Sequence, residues 1–151
     1  LYASPVFSYA AGAPKEACDD MQPGHGTQGE DAPYKIEAST YNVNPGDTLQ
    51  VTIKGSLFKG FLVQARTNDE DRTAVGKFVI ADDHPYAQVL HCSAKANAAT
   101  HKKIYGDGVH SVTFGWKAPE DYSGTVTFTG TVVKSYSEFW GDINSDLVTI
   151  N

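Results

Sequence analysis

The sequence lacks long apolar runs, sustained helical periodicity and an excess of basic side chains. Its dense apolar runs, such as Phe61-Leu62-Val63, are far shorter than the roughly 20 residues that a membrane-spanning helix requires. Twelve basic against eighteen acidic side chains give a formal net charge of −6. This balance disfavours nucleic-acid binding, which depends on Lys and Arg neutralising phosphates. We therefore expect no transmembrane segment and no nucleic-acid partner.

Cysteine is also scarce. The chain has only Cys18 and Cys92, which form no CxxC pair. Their wide separation suits one long-range disulfide in an oxidising compartment. Two buried free thiols in a cytosolic protein are the alternative that these residues leave open. The chain begins with Leu1 and shows no basic segment followed by an apolar one, so we expect a processed product.

Motifs for catalysis and metal binding are missing too. No GxSxG motif surrounds a serine, and His91 should point away from Cys92 because neighbouring strand residues face opposite sides. The histidines show neither HxH nor HExxH spacing; they are His25, His84, His91, His101 and His110. Asp142-x-Asn144-x-Asp146 begins like a calcium loop, but Leu147 stands where a turn glycine is needed. We predict a non-enzymatic protein without a metal site or a cofactor.

Proline and glycine are concentrated in the first 33 residues. The positions are Pro5, Gly12, Pro14, Pro23, Gly24, Gly26, Gly29 and Pro33. Such a density of helix and strand breakers excludes a regular helix or a central strand. We predict that residues 1–33 form an irregular arm across the surface of the domain, tied down at Cys18.

From Tyr34 onward the side chains alternate with a period of two, which is typical of half-buried strands. The alternating apolar residues are Leu49, Val51 and Ile53, then Val112, Phe114 and Trp116, then Val126, Phe128 and Val132. Threonines between the last three predict an exposed pleated face. From Phe58 to Ala65, apolar residues occupy both odd and even positions, so both faces of that strand should be covered. Shorter strands are predicted at 75–80, 87–91 and 147–150.

Turn signals separate these segments. Asn44-Pro45-Gly46-Asp47 predicts a turn, because proline fixes φ and glycine tolerates positive φ. Tyr122 follows two acidic residues at the start of a strand, as in the tyrosine corner of immunoglobulin-like sandwiches; a plain turn with a surface tyrosine is the alternative. The alanine-rich stretch 93–100 allows a short helical turn. In all, seven to nine strands predict one all-β domain over residues 1–151, an antiparallel immunoglobulin-like sandwich following the arm.

Two groups of residues are candidates for ligand binding. The basic group is Arg66, Lys102 and Lys103, which could contact an anion, although a solvated loop also explains the lysine pair. The aromatic group is Tyr136, Phe139 and Trp140, in a predicted loop after the threonine-rich strand. Aromatic rings in loops often serve recognition. They also close the open end of a sandwich, so both interpretations stand.

Short motifs occur in a fixed order along the chain. They are Cys18-x-x-Met21-x-Pro23-x-His25, Pro33-Tyr34, Tyr41-x-x-x-Pro45-Gly46, Phe58-x-Gly60-Phe61 with the run to Arg66, Val75-Gly76-x-Phe78, Cys92, His101, Val112-x-Phe114-x-Trp116-x-Ala118-Pro119, Gly124-x-Val126-x-Phe128 and Trp140. From about Gly12 to the end, this series resembles the Reeler (reelin-type) domain. It is most similar to the stand-alone insect group of defence or noduler-like proteins.

The resemblance implies an immunoglobulin-like β-sandwich, secretion and a disulfide between Cys18 and Cys92. Insect members of the group are associated with innate immunity and with binding to bacterial or fungal surface components. The family offers no agreed catalytic residues. What the family shares is mostly structural, so its common residues do not identify ligand contacts.

We therefore expect a secreted, extracellular (haemolymph-like fluid) innate-immune protein that binds microbial glycolipids or polysaccharides, such as lipopolysaccharide or glucan. A net charge of −6 argues against killing by a cationic, membrane-disrupting mechanism. One alternative is a carrier that holds a lipid or another small ligand in a cavity between the sheets. Another is an adhesive module that binds a protein through an exposed apolar patch.

Overall fold

The alternating segments form strands, and the strands form two facing sheets. The structure, a computed structural model, describes residues 12–13, 18, 27–28, 32–135 and 138–151. The strands in these residues are β1 (Thr27–Gln28), β2 (Tyr34–Ala38), β3 (Asn42–Val43), β4 (Thr48–Phe58), β5 (Gly60–Thr67), β6 (Lys77–Val79), β7 (Ala87–Leu90), β8 (Ala98–His101), β9 (Val109–Lys117), β10 (Gly124–Ser135), β11 (Glu138–Asn144) and β12 (Val148–Ile150). The predicted all-β sandwich is confirmed.

The larger sheet has the strand order β1–β11–β10–β5–β8–β7, and β12 pairs with both β10 and β3. The smaller sheet has the order β2–β4–β9–β6. The prediction of a purely antiparallel arrangement is wrong at two places, where β1 runs parallel to β11 and β3 parallel to β12. Twelve strands in the described residues exceed the predicted seven to nine, because strands of two or three residues carry no readable alternation.

Aromatic side chains fill the space between the sheets. Trp116, Phe58, Phe61 and Phe128 are fully buried. Trp116 meets Phe128 edge to face with ring centres 5.0 Å apart, and Phe61 stacks on Phe114 at 5.9 Å. This filled interior disfavours a lipid held between the sheets. Among the described residues, no helix has the length and apolar character to cross a bilayer.

The outer face of the larger sheet is covered as well. Ala13 packs there in a second apolar cluster with Leu62, Ala98, Val133 and Phe139. Its amide donates a hydrogen bond to Thr100 Oγ1 at 3.0 Å. Ala13 therefore lies on this sheet, whereas Thr27 and Gln28 form β1 beside β11, a pairing that the prediction of an irregular arm did not include. The prediction of exposed threonines on β10 is wrong for Thr127, Thr129 and Thr131, which are buried; the Thr127 hydroxyl, for example, donates to Asn68 Oδ1 at 2.9 Å.

Two local predictions of secondary structure are also wrong. The stretch 93–100 is no helical turn: Ser93 to Ala96 form bends and turns, and Ala98 begins β8. Pairing with β5 and β7 outweighs the helix preference of alanine there. Phe139 and Trp140 do not lie in a loop but in β11, which pairs with β10 across two register shifts.

Of the two predicted features between strands, the turn at Asn44–Asp47 is confirmed and the tyrosine corner at Tyr122 is wrong. At Asn44–Asp47 the Asp47 amide donates to the Asn44 carbonyl at 3.0 Å, and Gly46 has φ 85°, so that turn is confirmed. The tyrosine corner is wrong in its bonding. Tyr122 is half-buried against the core, but its hydroxyl donates to the Thr125 carbonyl, three residues downstream, at 3.3 Å. The immunoglobulin corner bonds upstream.

Candidate functional site

A cleft of about 490 Å³ opens where β9 ends and β6 begins. Its lining comes from three segments: Ala74, Gly76 and Lys77; Ala94, Lys95 and Asn97; and Lys117, Ala118, Pro119, Glu120 and Asp121. We call it the lysine cleft, after Lys77, Lys95 and Lys117. It brings together three cations that are far apart in the sequence.

Two of these lysines stand directly opposite each other. Lys77 of β6 and Lys117 of β9 are paired in register, and both are exposed. Like charges at directly opposed strand positions are destabilising. Lys117 is 3.9 Å from a Glu120 carboxylate oxygen, but that pair is well exposed to water and contributes little. An anion held between the lysines would relieve their repulsion.

The loop that carries Lys95 is held by the side chain of Asn97. This amide is buried, with 1% of its surface exposed. Its Oδ1 accepts a hydrogen bond from the Cys92 amide at 3.1 Å, and its Nδ2 donates to Ser93 Oγ at 2.9 Å. The backbone on either side of Lys95 is thereby fixed before any ligand arrives.

Ala96 adds a second restraint to the same loop. Its φ of 58° lies in the left-handed region, which residues with a Cβ rarely adopt. Its amide donates to His91 Nδ1 at 2.8 Å, and its carbonyl accepts from the Phe78 amide of β6 at 2.7 Å. These two bonds maintain the unfavourable backbone angle and join the loop to the strand that carries Lys77.

A smaller cleft of about 250 Å³ adjoins the lysine cleft and shares Ala74 with it. It is lined by Cys18, Gln64, Arg66, Asp71, Arg72, Thr73, Ala74, Cys92 and Ser93. Cys18 and Cys92 form a disulfide with their Cα atoms 5.8 Å apart, as the family resemblance implies. Arg66 donates to the Cys18 carbonyl and to Gln64 Oε1, each at 2.7 Å. This arginine therefore holds the arm against the larger sheet.

The predicted basic group is not brought together. Leu62 pairs with Thr100, so Lys102 falls about six positions from Arg66 along the strands, or roughly 20 Å. The Lys102 ammonium donates to the Asp82 carbonyl. Lys103 lies over the Tyr105 ring, 5.2 Å from its centre. These three side chains make separate local contacts.

Two rings of the predicted aromatic group, Phe139 and Trp140, pack against neighbouring side chains instead of lying open to a ligand. Phe139 is 6% exposed and belongs to the outer cluster of the larger sheet. Trp140 is partly buried against the core and meets Tyr34 edge to face, with ring centres 5.3 Å apart. Tyr136 lies outside the described residues. For the first two, these contacts favour the interpretation that the rings close the sandwich.

Sequence reasoning missed the lysine cleft. Its three lysines are single residues in three different segments, so no cluster appears along the chain. Lys77 and Lys117 each flank an alternating strand, which is where solvated lysines are ordinarily found. Only the strand register, with β6 beside β9, reveals that they oppose each other.

In the part of the chain that the structure describes, the titratable groups suggest no acid–base pair. Hydrogen bonds from the Thr67 hydroxyl and the Arg72 amide hold the pKa of the exposed Asp69 below its usual value. Within the described ranges, no three His, Cys, Asp or Glu side chains converge as metal ligands would. His84, His91 and His101 each accept hydrogen bonds from backbone amides.

Comparisons with known proteins find close relatives. The Reeler domain model matches residues 16–151. Putative defense protein 3 of Antheraea mylitta is 38% identical over 149 residues, covering 95% of this chain and 87% of that protein. Defense protein l(2)34Fc of Drosophila melanogaster is 36% identical over 146 residues, covering 94% and 89%. The crystal structure of the human F-spondin reeler domain matches with a TM-score of 0.64 at 22% identity, covering 85% of this chain and 96% of that domain.

Proposed function

Because the chain belongs to the Reeler domain family, we propose that it is a secreted defence protein that binds anionic microbial surface components without catalysis. The names of its insect relatives support a role in defence and point away from an enzyme. The disulfide supports an extracellular location, since disulfides persist in oxidising compartments. We assign the binding surface to the lysine cleft.

The observation that carries this proposal is the opposed pair Lys77 and Lys117, joined by Lys95 in one cleft of a protein with net charge −6. The described lining carries three lysines against two carboxylates, and a concave site with an excess of one sign of charge concentrates ligands of the opposite sign. Its ligand would be a surface glycolipid or polysaccharide that bears phosphate or carboxylate groups, such as lipopolysaccharide. A neutral glucan would gain nothing from the three lysines.

The cleft also suits the sugar part of such a ligand. Glu120 and Asp121 line it beside Lys117, and their carboxylates can accept hydrogen bonds from sugar hydroxyls. The neighbouring cations and acceptors would together orient a phosphorylated sugar. The preformed loop around Asn97 lowers the entropy that binding would otherwise cost.

The test is a charge reversal. We expect K77E/K117E to weaken binding of purified lipopolysaccharide by about tenfold or more at 0.15 M salt, measured by calorimetry. The matched control is K102E/K103E, which makes the same change of charge outside the cleft and should alter the affinity less than about twofold. Equal losses in both variants, or no binding by folded wild-type protein, would contradict the proposal.

The two alternative functions gain less support. A lipid carrier needs an apolar cavity, whereas large side chains occupy the space between the sheets. An adhesive module needs a contiguous apolar patch. In the described part of the chain, the exposed large apolar residues lie in separate segments; they are Tyr41, Val79, Tyr86, Tyr105 and Leu147. Neither alternative is carried by an observation of its own.

A further inference from the structure

A second depression, of about 730 Å³, lies at the other end of the smaller sheet. Its lining is Ala32, Pro33, Tyr34, Lys35, Lys54, Gly55, His110 and Ser111. We call it the bulge pocket. Strand β9 runs from His110 in this pocket to Lys117 in the lysine cleft, seven residues or roughly 23 Å. The two sites are therefore distinct.

The depression exists because the strands lose register there. The pairing of β4 with β9 is irregular between Lys54 and Phe58. Gly55 has φ 145°, and a Cβ at this position would lie 2.0 Å from the Pro33 carbonyl oxygen. His110 Nδ1 donates to the Gly55 carbonyl at 3.0 Å. A glycine thus lets the start of β2 approach the bulge and leaves space for a ligand beside it.

The rim of the pocket is cationic. Lys35 of β2 stands directly opposite Lys54 of β4, and Ser111 of β9 pairs with Lys54 on its other side. Lys54 contacts Glu37 at 2.8 Å, but both side chains are nearly half exposed, so water screens this pair. Among the lining residues that the structure describes, none is a carboxylate, unlike in the lysine cleft.

Apolar surface also lines the pocket. Ala32 and Pro33, both exposed, provide it, whereas Tyr34 is only 4% exposed and packs its ring into the core. The Tyr34 hydroxyl donates to the Leu57 carbonyl at 2.7 Å. Burial, and to a smaller extent the charge of Glu138, raise the pKa of Tyr34 to about 12. The phenol therefore stays neutral at physiological pH, and its hydroxyl already has a partner.

We propose that the bulge pocket binds a small amphipathic anion. The oxyanion head, a carboxylate, sulfate or phosphate, lies between Lys35 and Lys54, where the Ser111 hydroxyl can donate to it. The body, a ring or short chain, packs on Ala32 and Pro33. Pockets of this volume ordinarily hold small molecules, and a few polar groups above an apolar surface fix their orientation.

The test uses three probes that separate the head from the body: phenyl phosphate, inorganic phosphate and benzyl alcohol. They are titrated into isotope-labelled protein while the amide resonances are followed. We expect phenyl phosphate to bind about tenfold more tightly than either fragment, and to shift the resonances of Gly55 and Ser111. If phosphate alone binds as tightly as phenyl phosphate, or if the shifts fall elsewhere, the proposal is wrong.

Paired variants show whether the effect belongs to this pocket. K35Q/K54Q should weaken phenyl phosphate binding by about tenfold, while K77Q/K117Q, with the same loss of charge at the other end of β9, should change it less than about twofold. Equal weakening in both pairs would indicate a response to net charge and would overturn the assignment. These lysines are exposed, so both variants should fold, which their amide spectra will verify.

Discussion

At the scale of single residues, two glycines have similar φ angles but different surroundings. Comparing them distinguishes the cost of a left-handed backbone from the cost of a clash with a neighbouring side chain. Gly76 has φ 76° and Gly106 has φ 71°. A Cβ on Gly76 would lie 2.4 Å from the Trp116 ring, whereas a Cβ on Gly106 would meet nothing within 4 Å. The indole is fixed in turn, because its Nε1 donates to the Val75 carbonyl at 3.2 Å. Gly76 is thus required by its neighbour as well as by its conformation.

We predict that Gly76→Ala lowers the free energy of unfolding more than Gly106→Ala does. The left-handed backbone should cost each variant roughly 1–2 kcal/mol. The clash with a buried indole should add about 1–3 kcal/mol to Gly76→Ala alone. Urea denaturation of both variants and the wild type measures the difference. Equal losses would mean that the Trp116 ring moves aside freely.

At the scale of strands, alternation predicted β4 and β9 well, because each has one face on the core and one in water. It failed for β8 and β11. All four residues of β8 are buried, which removes the alternation and leaves an alanine-rich string typical of a helix. Register shifts where β11 pairs with β10 break the period of two.

The same limit explains why the candidate sites could not be predicted. Each depends on residues that lie opposite each other in neighbouring strands, as Lys77 opposes Lys117 and Lys35 opposes Lys54. Alternation identifies the face of a strand on which a side chain lies. It identifies neither the neighbouring strand nor its register, so the sequence does not predict these pairs.

The opposed lysines give a prediction about the pairing of β6 with β9. Lys77→Gln should raise the free energy of unfolding at low ionic strength by about 0.2–0.5 kcal/mol, because it removes the repulsion from Lys117. The gain should shrink as salt screens the charges. Lys59→Gln is the control, since no strand pairing places Lys59 opposite a lysine. Thermal denaturation at two salt concentrations measures both; a loss of stability in Lys77→Gln would contradict the interpretation.

At the scale of the whole molecule, the sandwich followed from composition and alternation. The pairing of Cys18 with Cys92 followed from the family resemblance, because the two cysteines alone favoured a disulfide but left a pair of free thiols open. The covered outer face of the larger sheet was missed, since threonines at alternate positions are typical of an exposed face and nothing in β10 itself indicates a cover.

Removing the disulfide should lower the stability of the whole domain. The bond joins residues 74 positions apart. By the loop-entropy model, C18S/C92S should therefore lower the free energy of unfolding by about 4 kcal/mol. Denaturation in guanidinium chloride, with the oxidised wild type alongside, gives the difference. A loss below about 1 kcal/mol would show that the contacts of Ala13 and Arg66 hold the arm without the bond.

The disulfide also has a consequence for how distant parts of the molecule respond to each other. Cys92 begins the loop that presents Lys95, and its partner Cys18 belongs to the arm. Because the bond anchors one end of this loop, its loss would loosen the backbone that presents Lys95, so C18S/C92S should weaken ligand binding in the lysine cleft as well as lower stability.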